Sequence, residues 1–188
     1  SMNNPRLAKR YAKSLIDIST DMSQLGAVHD DILFLKSIVD QSRQFVLMLD
    51  SPIISPDKKY KIIHALTDGR ISKITESFLK LICNKSREAN LPGVITSFIE
   101  QYNTIIGLHN AKLTTAAPIS KELVDTFISK IKASTSYDKV HLETVVDDKI
   151  IGGFILQMEG KLIDNSISRN LRDVKKQFAN NDYMHKLR

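Results

Sequence analysis

The chain has 188 residues, of which 42% are hydrophobic and 26% charged, and its formal net charge is +6. These proportions are ordinary for a globular protein, and the length allows one large domain or two modest ones. A single cysteine, Cys83, excludes an intramolecular disulfide framework and fits a reducing compartment. The longest apolar run, residues 45–49, is far shorter than the roughly 20 residues that span a bilayer. We therefore expect no direct insertion into a membrane.

The first half of the chain has helical periodicity throughout. Pro5 suits the first turn of a helix, and apolar residues follow it at intervals of three and four. Ser55 and Pro56 mark a later helix start, and Asp68-Gly69 marks its end. Six amphipathic segments are separated by short connections, which favour antiparallel neighbours. The sequence predicts an all-α six-helix bundle over residues 2–107.

After about residue 110 the pattern changes to the alternation of strands. Ser120 begins one more helix, and residues 139–146 alternate so that one face collects Val140, Leu142, Thr144 and Val146. The apolar stretch from Ile150 is predicted to be a strand that contains Gly152 and Gly153. A turn, a short strand and a helix follow. These elements predict a small α/β (α+β) domain over residues 111–188, ordered strand–helix–strand–strand–strand–helix.

No constellation of residues in the sequence indicates catalysis. The five histidines are dispersed, with no pair at metal-ligand spacing on a common helix face: His29, His64, His109, His141 and His185. Cys83 lies in an apolar helix and is expected to pack as a small hydrophobic residue. Gly152-Gly153 lacks the Lys-Ser/Thr ending of a phosphate loop. We expect no catalytic residue, no metal and no cofactor.

Several segments, in order, resemble one protein family. Residues 8–15, Ala-Lys-Arg-Tyr-Ala-Lys-Ser-Leu, are similar to its opening helix, and residues 78–82, Phe-Leu-Lys-Leu-Ile, to its fifth helix. A C-terminal signature follows at Ile151, Gly152, Gly153, Gly160, Asp164 and Ser166. The family is the delta subunit of bacterial F-type ATP synthases, which includes the mitochondrial oligomycin-sensitivity subunit. Glu88 departs from it, because an aliphatic residue is common there, so the turn at that point is expected to differ.

The resemblance implies a role without chemistry. It implies a non-catalytic peripheral-stalk (stator) subunit that links the catalytic head to the membrane-anchored b subunits, so that the head resists rotor torque during proton-driven ATP synthesis. The helical domain would bind the N-terminal helix of an alpha subunit and contact other head subunits, and the second domain would contact the C-terminal ends of the b subunits. The implied location is peripheral, at the cytoplasmic face of the bacterial cell membrane.

The binding site for the alpha subunit that the family implies is a groove between the first and fifth helices. Six residues have the spacing to line it: Tyr11, Ser14, Ile18, Ile74, Phe78 and Leu81. The same side chains could instead fill the core of the bundle, which is the interpretation we favour for Leu7 and Leu15. For Tyr11 and Leu81 the groove is favoured.

Two other classes of function compete with this one. A nucleic-acid-binding adaptor would need clustered basic residues with aromatic side chains on a sheet face. The basic residues here alternate with acidic ones, and Phe154 is expected to lie in the second domain without aromatic neighbours. A small hydrolase would need a nucleophile and base pair, which the sequence lacks. We therefore expect no nucleic-acid partner.

Overall fold

The computed structural model describes residues 4–151, 153–158 and 161–162. Over these residues the chain is mostly helical, with seven α-helices, one short 3-10 helix and a small four-stranded sheet, an α+β architecture. The chain divides into two compact units, Ser1–Tyr102 and Asn103–Arg188. Within the described ranges, no helix is both long enough and apolar enough to cross a membrane.

Four of the six helices in the first part of the chain begin at a side-chain cap. Their bounds are α1 Pro5–Asp21, α2 Leu25–Gln41, α3 Arg43–Asp50, α4 Pro56–Thr67, α5 Lys73–Asn84 and α6 Leu91–Ile105, with the 3-10 helix at Glu88–Asn90. Asn4, Ser42, Ser55 and Ser72 each accept a hydrogen bond from the backbone N–H three residues on. The predicted start at Ser55-Pro56 and the stop at Asp68-Gly69 are confirmed, and Gly69 has a φ of +69°.

One apolar core fills the interior of this unit. Its buried side chains come from all six helices: Ala8, Ala12, Leu15, Ile16, Val28, Ile32, Leu35, Phe45, Leu49, Ile63, Phe78, Leu79, Ile82, Cys83, Leu91, Val94, Ile95 and Phe98. The interpretation of Leu15 as a core residue is confirmed, since only 1% of it is exposed. Leu7 is half-buried and is not a member of this cluster. It lies in the first turn of α1.

A buried ion pair ties three elements of this unit together. Lys59 Nζ on α4 donates to Glu88 Oε1 at 2.8 Å and to the backbone oxygen of Leu49 on α3 at 2.7 Å. The pairing gives the Glu88 carboxylate a buried partner on α4. Removing either charge alone would leave the other buried without a counterion.

The second unit is a sheet with one helix packed on it. Its elements are β1 Leu108–Thr115, α7 Lys121–Ser134, β2 Lys139–Val146, β3 Phe154–Met158 and β4 Lys161–Leu162, in spatial order β2-β1-β3-β4. β1 pairs with β2 in parallel and with β3 antiparallel. A parallel pair needs a crossover connection, which α7 supplies. The core is formed by Ala111, Leu113, Phe127, Ile131, Leu156 and Met158.

The predicted common face of Val140, Leu142, Thr144 and Val146 is confirmed, since each pairs with an alternate residue of β1. Thr144 and Val146 are exposed, because the core cluster on that face reaches only as far as Val140 and Leu142 on β2. The expected strand from Ile150 through the paired glycines was wrong at its start. β3 begins at Phe154, because Gly153 has a φ of +78°, which extended backbone does not adopt.

The expectation that Phe154 has no aromatic neighbours was also wrong. Phe154 packs edge to face on Phe127 of α7, with ring centroids 4.9 Å apart and planes at 84°. The contact forms because α7 lies on the sheet and carries its aromatic ring onto the start of β3. It is an interior contact between helix and sheet, and Phe127 is fully buried, so the pair does not provide an exposed platform for stacking bases.

Candidate protein-binding groove

A groove with a volume of about 470 Å³ runs between α1 and α5. It is lined by Tyr11, Ser14, Leu15, Ile18, Met22, Lys73, Ile74, Ser77, Phe78 and Leu81. The structure therefore brings together all six of the residues that the sequence analysis assigned to a groove. Their role in binding is not tested by this geometry and stays a prediction.

The floor and the rim of the groove differ in burial. Phe78 is 8% exposed and Leu15 is 1% exposed, so both belong to the core and form the floor. Tyr11 packs edge to face on Phe78, with ring centroids 6.3 Å apart and planes at 71°. On the rim, Ile18 is 50% exposed and Leu81 is 45% exposed. Burial thus separates the floor, which belongs to the core, from the partly exposed rim.

Sequence reasoning did not assign four of the lining residues to the groove. Met22 lies four residues after Ile18 and is 54% exposed, so the apolar stripe of α1 continues one residue beyond the helix. Lys73 and Ser77 precede Leu81 at intervals of four on α5. The i, i+4 spacing was the signal that could have found all three. Leu15, which is expected in the core, is a core residue that also forms part of the floor of the groove.

The length of the groove suits a helical ligand. Along α1 the lining runs from Tyr11 to Met22, which is about 16 Å or three turns at about 1.5 Å per residue. An amphipathic helix docks through apolar anchors repeated over two to three turns, the length available here. Exposed Ile, Leu and Met side chains on one groove offer such anchors a surface to bury.

The polar groups of the groove offer little for chemistry. Ser14 Oγ donates to the backbone oxygen of Arg10 at 3.0 Å, so this hydroxyl is held within α1. Of the described lining residues, none is a His, Cys, Asp or Glu, and Lys73 carries the one charge. Elsewhere in the described residues, no group of three or more metal-ligating side chains lies together. Burial, helped by the nearby Glu88 charge, raises the pKa of Cys83 to about 11, so its thiol stays protonated near neutral pH.

The C-terminal signature residues belong to the second unit. Ile151 is 96% exposed, and Gly153 makes the turn that leads into β3. Gly152, Gly160, Asp164 and Ser166 lie outside the described residues. The structure therefore describes only two of the six signature residues, and neither of these two lines the groove.

Comparison with known proteins identifies the family. Residues 7–178 match the family model of the ATP synthase delta (OSCP) subunit. The ATP synthase subunit delta of Cytophaga hutchinsonii is 35% identical over 178 residues, which cover 95% of this chain and 97% of that protein. That of Amoebophilus asiaticus is 34% identical over 181 residues, covering 96% and 98%.

A solved structure has the same fold. A chain in the cryo-EM structure of the Toxoplasma gondii mitochondrial ATP synthase hexamer superposes with a TM-score of 0.70 at 20% identity, over 91% of this chain and 96% of that one. At this identity the likeness speaks for the fold alone, whereas the family match spans nearly the whole sequence. The chain belongs to the ATP synthase delta (OSCP) subunit family.

Proposed function

We propose that this chain joins the catalytic head of an F-type ATP synthase to its membrane-anchored b subunits, so that the head resists rotor torque during proton-driven synthesis. Membership of the delta (OSCP) family makes it a non-catalytic stator subunit of an ATP synthase. Within that role, residues 2–107 serve as a six-helix bundle that binds the head. Residues 111–188 serve as a domain that contacts the C-terminal ends of the b subunits, at the cytoplasmic face of a bacterial cell membrane.

The groove between α1 and α5 is proposed to receive the N-terminal helix of the alpha subunit. One observation carries this proposal: three turns of apolar lining whose rim residues, Ile18, Met22 and Leu81, are each about half exposed. A side chain already half buried is held in place by its neighbours and loses little further freedom when a ligand covers the rest. A partner helix with apolar anchors at i, i+3, i+4 and i+7 fits this arrangement.

Magnitudes show what the partner must contribute. Burying one large aliphatic side chain completely contributes about 1.5–3 kcal/mol. Covering the exposed halves of Ile18, Met22 and Leu81 therefore supplies about 2–4 kcal/mol. Nanomolar affinity needs about 12 kcal/mol. The rest must come from anchors on the partner helix that bury themselves on Phe78 and Leu15, so the ligand has to be strongly amphipathic.

A binding titration tests the proposal directly. The full chain would be titrated against a fluorescent synthetic peptide that reproduces the N-terminal helix of the alpha subunit, with a scrambled peptide of the same composition as control. Saturable binding of the first peptide alone supports the groove assignment, and equal binding of both refutes it. Co-purification of the chain with alpha, beta and b subunits tests the wider stator role. A mixed oligonucleotide in the same titration is expected to show no specific binding.

A further inference from the structure

We infer that Asp31, on α2 and outside the groove, is a positioning residue for the groove because it fixes the N-terminus of α5. This inference rests on the proposed binding of a partner helix between α1 and α5. The α5 wall of the groove consists of Lys73, Ile74, Ser77, Phe78 and Leu81, so whatever holds the first turn of α5 also holds that wall.

Asp31 makes three hydrogen bonds to the start of α5 through a single oxygen. Its Oδ2 accepts from the backbone N–H of Ser72 at 2.9 Å, from Ser72 Oγ at 2.6 Å and from Thr75 Oγ1 at 2.7 Å. Asp31 is 8% exposed, and Thr75 is fully buried. These bonds join residues 41 and 44 positions apart, so they are tertiary contacts and not part of the local helix cap.

The local cap of α5 is weak without this help. Ser72 Oγ accepts from the Thr75 N–H at 3.4 Å, beyond the usual range for such a bond. The Asp31 carboxylate adds a negative charge at the N-terminal end of α5, where the helix dipole favours it. It also accepts a hydrogen bond from the buried hydroxyl of Thr75 at 2.7 Å, a shorter contact than the 3.2 Å between that hydroxyl and Ser72 Oγ. One side chain on α2 thus orients the serine that begins α5.

The first turn of α5 is also one end of the groove. Lys73 and Ile74 lie in this turn, directly between Ser72 and Thr75 in the chain, and both line the groove. If the turn frays or rotates, Ile74 leaves its packed position on the core, and the wall no longer presents its apolar side chains at fixed spacing. A pre-organised groove binds more tightly because less ordering is needed on binding.

The test compares variants of the full chain in the alpha-peptide titration. Asp31→Ala removes all three bonds, whereas Asp31→Asn keeps an acceptor oxygen of the same shape. Leu49→Ala is the control, because Leu49 is a buried α3 residue outside the groove lining whose truncation destabilises the same core. All variants would be measured at a temperature where each keeps its helical circular dichroism. Hydrogen exchange of the Thr75–Phe78 amides, without peptide, reports the first turn of α5 directly.

We expect Asp31→Ala to weaken peptide binding at least about tenfold and to speed exchange in the first turn of α5, with Asp31→Asn recovering most of the affinity. Leu49→Ala should lose stability and keep its affinity. Equal binding by Asp31→Ala and wild type, or equal weakening by Asp31→Ala and Leu49→Ala, would overturn the inference while leaving the proposed function intact. Absence of binding by the wild-type chain would overturn both. If Asp31→Ala does not fold, Thr75→Val removes one donor with little change in shape, and wild-type affinity and exchange in that variant would also overturn the inference.

Discussion

Replacing Leu81 by aspartate is the sharpest test of the groove. Leu81 lies in the last turn of α5, lines the groove and is 45% exposed. Complete burial of such a side chain contributes about 1.5–3 kcal/mol, so a docked helix that covers the remaining part gains about 0.7–1.4 kcal/mol from it. An aspartate in its place loses that gain and also brings an unpaired carboxylate into an apolar contact, which costs several kcal/mol. At about 1.4 kcal/mol per tenfold change, we expect affinity to fall more than about 100-fold.

The fold should survive this substitution. Aspartate has a lower helix propensity than leucine by about 0.5 kcal/mol, and a negative charge near a helix C-terminus costs up to about 1 kcal/mol. With the lost packing of the buried part of Leu81, the total is about 2–3 kcal/mol, less than the roughly 5–15 kcal/mol that stabilises a typical domain. The neighbouring core residues Ile82 and Cys83 are unchanged.

The assay is fluorescence anisotropy of the labelled alpha peptide, with circular dichroism as the check on folding. Leu47→Asp is the matched control, because Leu47 on α3 is 57% exposed and lies outside the groove lining. Leu81→Ala should give an intermediate loss of about fivefold, in proportion to the apolar surface removed. If Leu81→Asp bound the peptide as tightly as wild type while keeping its helical content, the assignment of the groove would be wrong.

Three further predictions concern the interior of the helical unit. Lys59→Met leaves the charge of Glu88 buried and unpaired, so it should lower the free energy of unfolding in urea by about 3–5 kcal/mol. The double variant, Lys59→Met with Glu88→Leu, should recover most of that loss. A loss below about 1 kcal/mol in the single variant would contradict this prediction. Burial raises the pKa of Cys83 from 9.0 to about 11. The stability that the protonated thiol contributes is therefore present below pH 9 and lost as the pH approaches 11. Cys83→Ala should reduce this loss of stability between about pH 9 and pH 11. The native thiol should react slowly with a thiol reagent at about pH 8, where it stays protonated. Rapid reaction without unfolding would show that Cys83 is accessible. His29 stacks on Tyr102 with ring centroids 3.7 Å apart, and burial, partly opposed by the charge of Asp30, lowers the pKa of His29. The stability that neutral His29 contributes is therefore present above pH 6.5 and lost as the pH falls below it. His29→Phe should reduce this loss of stability in acid, and an unchanged dependence of stability on pH in that variant would argue against it.

The groove residues could be predicted because they share one helix face. Tyr11, Ser14 and Ile18 recur at intervals of three and four, and so do Ile74, Phe78 and Leu81, so the helical period of about 3.6 residues places each trio on one side of its helix. Family resemblance then indicated which two helices face each other. Spacing alone did not distinguish floor from rim, since Phe78 and Leu81 belong to one stripe but differ in exposure, 8% against 45%. That difference depends on which neighbouring helices cover α5.

The sequence alone determined the features that depend on nearby residues. Helix starts at Pro5 and Ser55-Pro56 follow from capping and from the fixed φ of proline, and the change of period near residue 110 follows from alternating side chains. The pairing of Lys59 with Glu88 and the bonds from Asp31 to Ser72 were decided only by tertiary structure. They join residues 29 and 41 positions apart. No local pattern encodes such contacts, because they exist only once separate helices have packed into one core.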